Sequence, residues 1–247
     1  MVDPSSLKVN DPDRYLLSLF ISHLGQQRAV TVFDRLNLEI GRLRDIIDTP
    51  HMGYIRLQWW KDEIGKISRA EGYTHHPLLQ DLEKSLIDYP ISKDDIDQLI
   101  SARESDFDEY DDFDIHAYAR HIHAPLLKIK ARILGVKENT DSLAEGFALV
   151  GLLRSIPFYR ARSQVMIPSI QPNAVEEICN KAESLLSLNT VKHPYFKAHE
   201  VLARLYLKQL KSAGYNPEKI FPLPFKELRV WFSVLISQMK YTRIQIK

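Results

Sequence analysis

The stretch from Gln27 to Asp48, QRAVTVFDRLNLEIGRLRDIID, constrains the fold more than any other part of the chain. Phe33, Leu36, Ile40, Leu43 and Ile47 recur at helical spacing and line one seam. Leu38, Gly41 and Asp45 form a second stripe, turned by roughly 150° at ~100° per residue. A helix patterned this way has a core on one side and a different environment on the other. Period-two alternation is scarce, and only 9 glycines serve 247 residues. Both point to an all-α fold.

Other helices follow from caps and breakers. Asp11-Pro12-Asp13 opens a helix over Tyr15 to His23, ended near Gly25. A third helix is expected from about Met52 to Arg69, with Leu57, Trp60, Ile64 and Ile67 on its core seam. Gly72 and His75-His76-Pro77 separate it from a fourth, Leu78 to Tyr89. Ser92 caps a fifth, which runs into the acidic tract near Asp108. A sixth runs from Ile115 to Leu134 and stops at Gly135. Ser142 and Glu145 form a capping box for a seventh, reaching about Arg162 and kinked or ended by Pro157. Val165-Met166-Ile167-Pro168 reads as an extended link. Helices are expected over 173–187 and 195–213, and a last one from about Phe225 to Tyr241.

Composition narrows the function. With 33 basic and 32 acidic residues, the net charge of +1 argues against a general nucleic-acid binder. The single cysteine, Cys179, excludes an internal disulfide framework and a cysteine zinc site, and fits a reducing compartment. The polar N-terminus lacks the pattern of a signal or transit peptide, and no stretch reaches the ~20 apolar residues of a membrane span. A cytoplasmic location is expected. So is one helical domain over residues 1–247, with a flexible 1–10 and a terminal helix and tail at 220–247.

On the seventh helix, Ala144, Ala148, Gly151, Ser155 and Tyr159 share one narrow stripe. Small side chains of this kind let helices approach closely. The alternative is a cavity wall whose polar groups have been pared back, with Arg154, Arg160 and Arg162 nearby to meet an anion.

Four segments, in this order, carry a resemblance: RAVTVFDRLNLEIGRLRDIIDTPHMGYIRLQWWKDEI, HPLLQDL, LISARESDFD and GFALVGLLRSIPFYRARSQVMIP. Together they resemble the squalene/phytoene synthase family, and the likeness fades after Pro168. The pieces NLEIGRLRD, MGYIRLQWW and LLRSIPF resemble the branch that includes a mitochondrial assembly factor for respiratory complex I. The resemblance implies an isoprenoid synthase type I helical bundle around a cavity. It also implies two aspartate-rich motifs that hold Mg²⁺ against a prenyl diphosphate. Magnesium takes oxygen ligands near octahedral and neutralises the departing diphosphate.

This sequence departs from that pattern. In the first motif, Gly41 stands in place of the leading aspartate, Arg42 is its neighbour, and only Asp45 remains. The second family pattern, roughly QxxNxxRDxxxD, falls here on Ala148, Gly151, Arg154, Ser155 and Tyr159, so only the arginine survives. One carboxylate where the family uses four cannot hold a magnesium–diphosphate cluster. The expectation is therefore a non-catalytic binding or assembly protein with no cofactor, in which Asp45 pairs with Arg42, Arg44 or Arg154. Its partners would be respiratory complex I subunits or a lipid or prenyl ligand. It would sit peripherally at the inner face of a membrane.

The alternative is a Mg²⁺-dependent farnesyl or geranylgeranyl diphosphate transferase, its metal held by Asp45, Glu104, Asp106 and Asp108. The plain reading of those last three is a helix end running into a solvated acidic loop. His116, His121 and His123 lack a further ligand to complete a metal site. Trp59 and Trp60 are core residues, one of which can approach the cavity. The last helix, FKELRVWFSVLISQMKYTRIQIK, is compatible with membrane-surface binding, or is a final core helix with a polar end.

Overall fold

The structure is a computed structural model and describes residues 7–108, 113–161, 171–220 and 222–245. Among these residues it is built from helices, α1 to α12, with no strand. The fold is the all-α bundle that the periodicity predicts. The link expected at Val165–Pro168, together with Arg162, lies outside the described residues.

Helix ends follow local chemistry. α1 spans Leu7–Asn10, with Leu7 buried. α2 spans Pro12–Ser18, and the Asp11 side chain caps it by accepting from Arg14 N at 3.0 Å. It is shorter at its C-terminal end than expected, and Gly25 falls in the first turn of α3, Leu24–Gly41. His23 caps α3. The expected continuous run to Asp48 is broken at Arg42, where Asp45 N bonds Arg42 O at 2.9 Å in a tighter i→i+3 turn. A short α4, Leu43–Ile46, follows. Thr49 is then extended because it precedes Pro50.

α5 spans Pro50–Ser68, α6 Pro77–Asp88 and α7 Lys93–Ser101. Ser92 and Asp95 form a reciprocal capping box on α7. The fifth helix ends there rather than near Asp108, and Glu104–Asp106 is a separate 3-10 turn. α8, Ile115–Leu134, stops at Gly135, whose φ of +69° is the left-handed cap conformation that glycine adopts without strain.

The described residues cluster into two compact units. The first comprises residues up to 112 together with 121–137. Its core holds Phe33, Leu36 and Ile40 of α3 with Leu57 and Ile64 of α5, as the seams predict, while Ile47 and Ile67 are only half-buried. Inside this core lies an ion pair. Lys130 Nζ donates to Asp34 Oδ1 at 2.5 Å, and Arg14 Nη1 reaches the same oxygen at 3.2 Å. The Asp34 and Lys130 side chains are 0% and 1% exposed.

Burial pushes the Lys130 ammonium down from 10.5 to about 8, against the opposing pull of Asp34. Between those two values the unfolded chain holds the extra proton, so this group makes stability rise with pH from about 8 to 10.5. Denaturant midpoints of the wild type and Lys130→Met, compared at both ends of that window, should show the rise in the wild type only. Equal pH slopes would refute the assignment.

The second unit comprises residues 113–120 and 138–247. α9, Asp141–Ala161, carries Pro157 within it rather than stopping there. It starts one residue ahead of Ser142, and the Glu145 carboxylate accepts from Arg120 Nε at 2.9 Å, so the expected Ser142–Glu145 capping box is not the start signal. α10 spans Pro172–Ser187, α11 Pro194–Ser212 and α12 Lys226–Gln245. Gly146 gives α9 its close approach to α10, where an added Cβ would meet Leu186 and the Ala182 carbonyl at 3.1 to 3.2 Å. Cys179 is buried on α10, and burial pushes its thiol up to about 11, which leaves it protonated and unreactive.

Candidate functional site

The first-motif stripe lies in the first unit. Gly41 and Asp45 are half-buried and Arg42 is exposed. The guanidinium of Arg103 covers Gly41, so that a Cβ there would lie 3.3 Å from its Cζ and Nη2. Arg103 is held in place by donating from Nη2 to Asn37 Oδ1 at 3.0 Å and from Nη1 to Asp106 Oδ2 at 3.4 Å. Arg44 Nη1 lies 3.8 Å from the other Asp106 oxygen, and the Asp106 side chain is 1% exposed. Arg42 donates to Asn10 Oδ1 at 2.9 Å. The leading-aspartate position is thus a bare backbone with a cation on it. Arg103 and Asn37 were not singled out from sequence. The available signal was Arg103 three residues before Asp106, the spacing of neighbours on a helical turn.

The three acidic residues do not converge. Glu104 accepts from Lys61 at 2.5 Å, Asp106 faces Arg103 and Arg44, and Asp108 accepts from the Tyr54 hydroxyl at 2.5 Å. With α7 ended at Ser101, Glu104 and Asp108 are not an i, i+4 pair on one helix face. Phe107 anchors the segment: its ring lies on Gly53 of α5 and 6.0 Å from the Tyr54 ring.

Trp60 is buried, while Trp59 is half-buried with Arg56 stacked on it at 5.3 Å. Trp59 lines a groove of about 650 Å³ along α5 and α7, whose other walls are mostly charged: Lys61, Asp62, Glu63, Lys66, Arg69, Lys93 and Asp97. Lys66 pairs with Glu63, Lys93 with Asp97, and Lys61 with Glu104. Such a wall offers a prenyl chain little apolar surface.

The second-motif stripe lies in the second unit. Ala144 and Ala148 are buried, Gly151 is exposed, and Ser155 and Tyr159 are half-buried. An added Cβ at Gly151 would meet nothing within 4 Å. Close helix packing therefore occurs at Gly146, on the opposite side of α9 at ~100° per residue, and not along the stripe at Gly151. Ser155 Oγ donates back to the Leu152 carbonyl at 2.7 Å. The Arg154 guanidinium lies over the Tyr206 ring, 3.5 Å from its centroid. Arg160 pairs with Glu218. His116 lies 3.8 Å from Glu145, His123 is buried and His121 is exposed.

These donors do not fit a magnesium–diphosphate centre. Asp45 is the one carboxylate on the two stripes, and Arg103 stands where a second would be. At ~4 Å and an effective dielectric of about 20, a dication and a guanidinium repel by about 8 kcal/mol. Among the described residues no group of three or more His, Cys, Asp or Glu side chains is placed to hold a metal ion.

Comparison with known proteins agrees with this architecture. A dehydrosqualene synthase crystal structure with ligand superposes with a TM-score of 0.78, at 13% identity, covering 96% of this chain and 95% of the other. Squalene synthase from Alicyclobacillus acidocaldarius gives 0.65 at 16% identity, covering 85% and 92%. In sequence, the chain is 24% identical over 231 residues to the Mus musculus protein named NADH dehydrogenase (ubiquinone) complex I, assembly factor 6, covering 87% of this chain and 67% of that one. The Homo sapiens counterpart matches to the same extent. The family model for squalene/phytoene synthase matches residues 7–170, about two thirds of the chain and both motif stripes, so this chain belongs to the squalene/phytoene synthase family.

Proposed function

We propose that this chain is a non-catalytic member of its family that acts as a binding or assembly factor for respiratory complex I, in a cytoplasmic compartment at the inner face of a membrane. The observation that carries the reading is the Arg103 guanidinium lying on Gly41, a position where catalysis by the family's chemistry needs a carboxylate. The relatives named as complex I assembly factors, matched over 87% of this chain, supply the partner class. No cofactor is assigned. The charged groove beside Trp59 is a poor host for a lipid tail.

The test has two arms. Purified, folded protein with Mg²⁺ and farnesyl or geranylgeranyl diphosphate is expected to release no diphosphate. A coupled C30 or C40 product would overturn the reading and make Asp45 and Asp106 the first residues to mutate. Deletion in the host is expected to lower assembled complex I on native gels and its NADH:ubiquinone activity. Asp45→Ala should restore both as well as the wild type does. Normal complex I after deletion would remove the assembly assignment.

A further inference from the structure

α12 is mounted with its larger side chains facing outward. Among its described side chains Val230 and Val234 are the buried ones, at 0% and 4% exposure, and Gln238 Nε2 donates to the Lys192 carbonyl at 3.0 Å. Away from that narrow face, Leu228, Trp231, Phe232, Leu235, Ile236 and Met239 are all between 46% and 61% exposed. At ~100° per residue these six fall within an arc of roughly 140°. Phe225, just before the helix, is 75% exposed. A contiguous apolar face with two aromatic side chains on one helix is of the size that often serves as a contact surface.

Its charge identifies the contact. Arg229 is exposed and borders the apolar arc beside Ile236, half-buried Lys226 lies roughly 80° beyond that edge, and exposed Glu227 lies roughly 40° from the other edge, beside Trp231. The sequence adds Lys240 and Arg243, making four cations against one anion in a helix of 20 residues. Over the whole chain basic and acidic residues nearly cancel, at 33 against 32. Size separates the remaining occupants. A helix of this length offers a strip of about 30 Å by 10 Å, on the order of 300 Å². A stable protein interface needs roughly 800 Å² per partner. A bilayer surface accepts a single helix lying in its plane, with aromatic and leucine side chains in the acyl boundary and cations among the headgroups. No described helix is long and apolar enough to cross a membrane, so α12 lies on a bilayer rather than through it.

We infer that α12 docks the protein on an anionic lipid surface, with Trp231, Phe232 and Leu235 inserted and Arg229 on the headgroups. This deepens, and rests on, the proposal of a peripheral position at a membrane.

The test is co-sedimentation of the full chain with phosphatidylcholine–phosphatidylserine vesicles and with pure phosphatidylcholine vesicles. Binding is expected on the anionic vesicles, weaker by about five-fold for each cation removed. Arg229→Glu should therefore weaken it at least that far, and high salt should weaken it too. The double variant Phe232→Glu, Leu235→Glu should lose binding while keeping the wild-type melting temperature, because these side chains are 61% and 55% exposed. Four results would overturn the inference: no binding to either vesicle, equal binding to both, unchanged binding by the double variant, or a dimer in solution that the double variant dissociates. Vesicles contain no complex I, so failure here leaves the assembly reading intact. Normal complex I in a deletion strain would likewise leave vesicle binding intact.

Discussion

Asp34→Ala is expected to lower the unfolding free energy by about 3–5 kcal/mol. The carboxylate is fully buried and shared by Lys130 at 2.5 Å and Arg14 at 3.2 Å. Taking it away leaves the Lys130 ammonium in the core with its principal counter-charge gone, and the penalty is mostly that of an uncompensated buried charge. The pair itself contributes far less than this loss. Replacing both partners with apolar residues of similar volume, as in Asp34→Leu with Lys130→Met, should recover most of the stability. Urea titration of the single and double variants measures both. A loss below about 1 kcal/mol for Asp34→Ala would mean that the charges are solvated and the buried arrangement is incorrect.

Gly53→Ala should destabilise by about 1–3 kcal/mol, although glycine to alanine within a helix ordinarily stabilises by about 1 kcal/mol. The reversal has a steric cause. A Cβ at position 53 would lie 2.4 to 2.5 Å from three atoms of the Phe107 ring, which is itself buried and cannot swing aside cheaply. Gly151→Ala is the matched control, since a Cβ there meets nothing within 4 Å, and it should gain about 0.5–1 kcal/mol. Thermal or chemical melts of the two variants should move in opposite directions, and movement in the same direction would refute the Phe107 packing. Because Phe107 follows Asp106, Gly53→Ala should also loosen the Asp106–Arg103–Asn37 network over Gly41. Adding Phe107→Ala should relieve the clash and recover part of the loss.

The site was less legible in sequence than the helices. The missing carboxylates at Gly41, Ser155 and Tyr159 could be read directly, because absence of a ligand type is a local fact. What covers Gly41 could not, since Arg103 lies 62 positions along the chain and reaches it through the packing of the 3-10 turn at Glu104–Asp106. The acidic tract looked like a paired face because Glu104 and Asp108 are four apart, but α7 stops at Ser101 and the geometry of that spacing never forms. Each carboxylate then takes the partner that packing brings to it: Lys61, Arg103 with Arg44, or Tyr54.

Sequence alone determined where most helices lie. Helical periodicity, prolines at first turns, the Ser92 cap and the Gly135 stop all act within a few residues, so one chain segment carries the whole signal. Tertiary structure decided which faces those helices bury and which charges they pair. α12 shows the difference. Its apolar run reads as a final core helix with a polar end, yet among its described side chains Val230 and Val234 are the buried ones and the larger apolar ones face out. Burial and charge pairing depend on neighbours distant along the chain, so no local pattern could assign them.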